Sequence, residues 1–211
     1  MSDRIHPWRE LARERAFQSR VFEVSRRRME ELGDGGDVKR GEFVRIEAPD
    51  WVNVVALTED RQLVLIEQWR HGVDRVTLEI PGGMIDPGED ALAAARRELA
   101  EETGYSADTW TRIGSIEPNP ALQANRCHTF LAEGARRTQA PRFDGHERCR
   151  LILAPYDEAP RLVASGRITH ALVVVGLHFA RLREEGLSFA DAPREPSPRE
   201  PSPREPSPRE P

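Results

Sequence analysis

Residues 83–105 read GMIDPGEDALAAARRELAEETGY. Within them Glu98, Glu101 and Glu102 stand at positions i, i+3 and i+4. On an α-helix that spacing places three carboxylates on one side. Like charges packed together destabilise a helix unless a positive group lies between them. A hard divalent cation, Mg²⁺ or its substitute Mn²⁺, suits an all-oxygen set of this kind. Gly82 and Gly83 allow close backbone approach just before the unit, and Gly104 stands where a helix needs its left-handed stop.

The spacing resembles the Nudix hydrolase signature, G-x5-E-x7-R-E-U-x-E-E-x-G-U, in which U is a bulky apolar or aromatic residue. Gly83, Glu89, Arg97, Glu98, Leu99, Glu101, Glu102, Gly104 and Tyr105 fill its nine fixed positions. A salt-bridged surface helix accounts for the glutamates but not for the glycines at both ends. The resemblance implies the Nudix fold, α+β, with a mixed β-sheet sandwiched between helices as an α/β/α arrangement. It implies hydrolysis of a nucleoside diphosphate linked to a further group. Glu98, Glu101 and Glu102, with the Gly82 carbonyl, would hold Mg²⁺. Arg97 would orient the glutamates by ion pairing, or Glu89 would do so from behind them.

Upstream, LVLIEQWR ends a strand with Gln68 and Arg70. A surface ion pair would explain the arginine. The resemblance offers more, because ADP-ribose-hydrolysing members carry Q-x-R here and their arginine contacts substrate. A guanidinium suits phosphate through its planar two-donor fork. The same branch carries a proline fifteen residues beyond the signature, which is Pro120 here. A glutamate in the position of Glu147 binds metal or acts as general base in these relatives; a metal-bound water is the competing nucleophile source. His128 and His146 read as structural or solvated. The expected substrate is a nucleoside diphosphate sugar, ADP-ribose or similar. The alternatives are another diphosphate such as a dinucleotide polyphosphate, or a Nudix-fold nucleotide-binding module without catalysis.

Length and composition set the frame. The 211 residues have room for one sizeable core. A net charge of -5 speaks against general nucleic-acid affinity, and a polyanionic substrate would then need a local positive centre. Cys127 and Cys149 are too few for a disulfide framework and fit a cytoplasmic protein. The opening stretch MSDRIHPWRE carries no apolar signal-peptide core, and the longest apolar run is too short for a membrane span.

Three segments are expected. Residues 1–42 form an N-terminal extension; Leu11 to Arg28 reads as either a helix or an exposed strand. Val21 to Val24 and Phe43 to Ile46 alternate as strands about a glycine-rich turn, giving a β-hairpin. A homodimer is expected, since relatives in this branch cross N-terminal strands to the partner and a lone charged hairpin is not stable. Residues 43–190 form the hydrolase domain. Its strands are expected at residues 51–57, 62–68, 76–80, 109–117, 127–131 and 150–154, and its helices at 90–103, 157–165 and 170–184. After Gly82 and Gly83 a loop with a turn at Pro87-Gly88 is expected, and residues 136–145 are expected as a loop. The last helix is expected to bury Leu172, Val175, Phe179 and Leu182. Residues 191–211 form a disordered tail repeating Pro-Arg-Glu-Pro-Ser.

Overall fold

The computed structural model describes residues 5–143 and 148–189. Glu147, His146 and the repeat tail lie outside the described residues. The N-terminal part is a three-stranded antiparallel sheet of β1 (Trp8–Gln18), β2 (Glu23–Leu32) and β3 (Val38–Glu47). The expected hairpin therefore gains a strand, and the ambiguous Leu11 to Arg28 segment resolves as β1, a turn and most of β2. Cross-strand charge pairs decide it: Arg27 Nε donates to Glu10 at 2.5 Å and Arg9 Nη2 to Glu30 at 2.7 Å. The boundary expected at 42/43 falls inside β3. The end of β3 reaches the main body, where the Ile46 N–H donates to the Leu122 carbonyl at 2.8 Å.

The central sheet holds β4 (Trp51–Leu57), β5 (Gln62–Arg70), β6 (Arg75–Glu79), β7 (Gly82–Met84), β9 (Thr109–Ile116), β10 (Cys127–Glu133) and β12 (Cys149–Pro155). The short β8 (Tyr105–Ser106) and β11 (Arg136–Arg137) pair with one another. The main order is β12-β5-β4-β10-β9. β10 runs parallel to β4, and the other pairings are antiparallel, so the sheet is mixed. β4 and β5 pair only at Leu57 and Leu63 and then part. β7 lies along β4, and β6 lies along β5.

Strand alternation sorts the core onto two faces. Val52, Val54, Ala56 and Val64 pack with Ala94, Ala95 and Leu99 of α1 (Ala91–Thr103). Val55, Leu57, Leu63 and Leu65 pack on the other face with residues of α3 (Ala171–Glu184), among them Val173, Leu177 and Ala180. Between these helices in sequence stands α2 (Ala159–Ala164), preceded by a 3₁₀ turn at Tyr156–Glu158; it packs on the α3 face. The result is the expected α/β/α sandwich.

The structure completes or corrects the local reading at three places. Gly82 and Gly83, which the sequence assigns to no element, form a strand that runs on to Met84, because Gly82 has no side chain to hold β7 away from the Val52 carbonyl. Residues 136–137 are likewise a strand rather than loop. On α3 the buried face is Val173, Gly176, Leu177 and Ala180, whereas the four apolar residues expected there are half-buried. Gly176 brings the helix close to the sheet, since a Cβ there would lie 2.9 Å from Ile80 Cδ1. Small residues mark that contact, and a count of large apolar ones misses it.

Candidate active site

α1 is delimited at both ends. Asp90 caps it, its Oδ1 accepting from the N–H groups of Leu92 at 2.9 Å and Ala93 at 3.1 Å. Loss of such a cap typically costs about 1 kcal/mol. Gly104 stops it in the left-handed region at φ 74°, with its N–H on the Ala100 carbonyl. Leu99 is fully buried against the sheet. Burial of a leucine stabilises by roughly 1.5–3 kcal/mol and sets the helix rotation. The glutamates are thereby turned toward the sheet edge and β7.

Arg97 is the hub of the unit. Its Nε and Nη2 donate to the two oxygens of Glu89 at 3.0 and 2.9 Å. Nη1 donates to Glu98 at 2.8 Å and to Glu101 at 3.2 Å, and Nη2 also donates to the Met84 carbonyl at 2.9 Å. Glu89 and Glu98 together hold the guanidinium above its usual range, against the opposing effect of burial. In return Arg97 holds the Glu89 carboxyl below the ordinary value. Glu102 is buried, and its Oε2 accepts from the Gly82 N–H at 2.9 Å. The Glu98 carboxylate lies where a Cβ on Gly83 would be. The two glycines therefore serve close approach: Gly82 to β4 and Gly83 to Glu98.

These groups open on a cavity of about 820 Å³. Glu98, Glu101, Glu102, Arg97, Gly82, Gln68 and Arg70 all line it, so the fold assembles most of the expected site from β5, β7 and α1. Among the described residues no three His, Cys, Asp or Glu side chains converge on one point as a ready metal cage. Arg97 lies between Glu98 and Glu101, and Glu102 is turned to Gly82. The donor set still fits a hard divalent cation: it is all oxygen, mostly carboxylate, and faces one cavity.

Arg70 does not simply project into the cavity. Its Nε and Nη2 donate to the two oxygens of buried Glu79 at 2.9 and 2.7 Å. Pro120 is exposed in the loop between β9 and β10 and does not line the cavity. His128 is buried and structural, its ring nitrogens contacting Arg112, Ser115 and Asp50.

Sequence reading missed several lining residues. Arg20 arrives from the turn between β1 and β2, Arg142 from the segment after β11, and His170 from the N-cap of α3. No local pattern marks these three, because each reaches the site only through long-range packing. Asn53, on β4, also lines the cavity, and its Nδ2 donates to the Leu172 carbonyl at 2.9 Å. A polar residue inside the otherwise apolar run WVNVVAL was a readable signal for it.

The chain is similar to known proteins in sequence and in fold. The family model of the NUDIX domain matches residues 47–173. The chain is 32% identical over 172 residues to the methanol dehydrogenase activator of Bacillus methanolicus, covering 81% of this chain and 91% of the relative. It is 30% identical over 175 residues to the ADP-ribose pyrophosphatase of Bacillus subtilis (strain 168), covering 82% and 92%. A solved structure described as an ADP compounds hydrolase superposes with a TM-score of 0.72 at 25% identity, covering 88% of this chain and 99% of its own.

Proposed function

The chain belongs to the Nudix family of pyrophosphohydrolases, and from that membership we propose that it cleaves the diphosphate of a nucleoside diphosphate sugar of the ADP-ribose type, using Mg²⁺. The products are a nucleoside monophosphate and a sugar phosphate. The observation that carries this reading is the shared cavity. Arg20, Arg70 and Arg142 line it together with Glu98, Glu101 and Glu102. A polyanion binds beside carboxylates only when cations offset the repulsion, and here arginines and a metal would share that task.

Glu98, Glu101 and Glu102, with the Gly82 carbonyl, would hold the metal, which supplies charge neutralisation at the diphosphate and an acidified water. Arg97 keeps the Glu98 and Glu101 carboxylates in place from behind. Gln68 and Arg70 bind substrate on the β5 side of the cavity. Glu147 would accept the proton of the attacking water on a carboxylate oxygen. Pro120 would contribute only through the loop it occupies, since it does not line the cavity.

A homodimer belongs to the same reading. The N-terminal sheet carries Phe17 and Val44 about half exposed, an apolar surface suited to a second copy. Buried Cys127 and half-buried Cys149 are not joined in a disulfide, which suits a cytoplasmic setting. Among the described residues no helix is long and apolar enough to cross a membrane. The presence of Glu98, Glu101 and Glu102 speaks against a module without catalysis.

The test is a hydrolysis panel of nucleoside diphosphate sugars and dinucleotide polyphosphates with Mg²⁺, with products identified. Turnover confined to dinucleotide polyphosphates would overturn the substrate class. Undiminished turnover in EDTA would overturn the metal requirement.

A further inference from the structure

Glu79 closes β6, and its side chain is 2% exposed. A carboxylate so placed must be paired and hydrogen-bonded. Four donors meet it: Arg70 Nε at 2.9 Å, Arg70 Nη2 at 2.7 Å, Thr77 Oγ1 at 2.6 Å and His170 Nδ1 at 3.0 Å. Burial pushes the Glu79 carboxyl up, but the hydrogen bonds from Arg70 and His170 outweigh it and hold it well below the usual carboxylate range. Glu79 is therefore an acceptor, and His170 Nδ1 is the donor.

Stability alone does not explain so complete a cluster, since buried ion pairs often stabilise no more than apolar residues of similar size. What the cluster does is join two distant elements at the cavity wall. Arg70 comes from the end of β5 and His170 from the N-cap of α3, and both line the cavity that holds Glu98 and Glu102. His170 makes no capping bond to its own helix; its side chain is turned to Glu79 instead. With Nδ1–H committed there, the remaining ring nitrogen, Nε2, is an acceptor in the neutral imidazole. The His170 side chain stays 35% exposed and that of Arg70 42%. An acceptor fixed beside a guanidinium matches a hydroxyl next to a phosphate.

We propose that His170 is a substrate-contacting residue, its Nε2 accepting a hydroxyl of the sugar phosphate half of the substrate while Arg70 faces the adjoining phosphate. Glu79 is the positioning residue that holds both. This subsite rests on the proposed hydrolysis of a nucleoside diphosphate sugar.

The test compares ADP-ribose with ADP, which lacks the second sugar. His170→Ala raises KM for ADP-ribose about 3- to 10-fold, the worth of one hydrogen bond, with kcat within about twofold. The affinity for ADP stays unchanged, and His170→Gln, which keeps an acceptor, recovers part of the loss. An unchanged KM, or equal weakening of ADP and ADP-ribose, overturns the assignment. In a Glu79→Gln background His170→Ala adds little further loss; full additivity overturns the positioning role. If Glu79→Gln does not fold, the His170 comparison decides alone. If the wild type hydrolyses no nucleoside diphosphate sugar, the proposed activity falls, and calorimetric titration with ribose 5-phosphate decides the subsite. Binding weakened by His170→Ala sustains it; equal binding, or none, overturns it.

Discussion

Arg97 grips Glu89 with both arms of a guanidinium fork, Nε to one carboxylate oxygen at 3.0 Å and Nη2 to the other at 2.9 Å. The residues are eight apart in the chain, one in the loop before α1 and one on it. The fork fixes the direction of the guanidinium, which leaves Nη1 aimed at Glu98 and Glu101. Arg97→Lys keeps the charge but cannot make the fork. The variant is expected to need about 10- to 100-fold more Mg²⁺ for half-maximal activity, as when a residue supporting metal ligands is lost. A Mg²⁺ titration of turnover checks this; a superimposable titration would show that the fork has no part in metal binding.

Gly82 and Gly83 are adjacent yet should fail differently. A Cβ on Gly83 meets the flexible end of Glu98, so Gly83→Ala should keep the melting temperature within a few degrees and cut turnover by at least about tenfold. A Cβ on Gly82 meets the backbone carbonyl of Val52, which cannot swing aside, so Gly82→Ala should lower the melting temperature clearly. Thermal scans and turnover of the two variants, measured together, separate them. A Gly83→Ala protein as unstable as Gly82→Ala would show that the strand, not the glutamate, limits both.

The Glu79 carboxyl sits well below its ordinary value of 4.5 in the folded protein. The unfolded chain therefore binds the proton first as pH falls. The stability contributed by Glu79 is complete above about pH 4.5 and is lost as pH drops below it toward the folded value. Chemical denaturation from pH 7 to pH 3 should show this decline, and Glu79→Gln should flatten it. A Glu79→Gln protein with the same acid slope as wild type would place the dependence on other carboxylates.

β1, β2 and β3 bond chiefly to one another, and Phe17 and Val44 share one face through the rows that align Phe17 with Val24 and Val24 with Ile46. Phe17→Asp with Val44→Asp should turn the full chain from a dimer into a monomer in light scattering and raise KM. The monomer should remain folded, because both side chains are already half exposed in the single chain. A monomeric wild type at micromolar concentration would remove the dimer altogether.

Glu147 is nominated as proton acceptor. Glu147→Gln should lower turnover by about 10²–10⁴-fold, the usual contribution of a general base. Mg²⁺ affinity should survive, since Glu98 and Glu102 are untouched. A pH–rate profile at saturating Mg²⁺ identical to wild type, with unchanged turnover, would remove Glu147 from the mechanism.

The sequence by itself determined the helix that carries the three glutamates. The spacing of Glu98, Glu101 and Glu102, the cap at Asp90 and the stop at Gly104 are local facts of helix geometry, and α1 forms as they require. The apolar runs at residues 51–57 and 62–68 likewise marked two central strands, but which of their side chains face α1 was settled only by the packed fold. Local rules suffice for the helix and the strands themselves because each interaction spans no more than one helical turn or one strand.

Tertiary structure alone decided the rest. Arg20, Arg142 and His170 reach the cavity from three elements far apart in the chain, and no periodicity announces them. Arg70 was legible as a cation near the site, but its tie to Glu79 needed β5 and β6 paired, and the tie of Glu79 to His170 needed α3 seated. That seating depends on Gly176 approaching Ile80, a contact made by an absent side chain. A sequence shows which groups are present and how neighbours repeat; which distant groups share one buried carboxylate is set only when the sheet and its two helical layers close together.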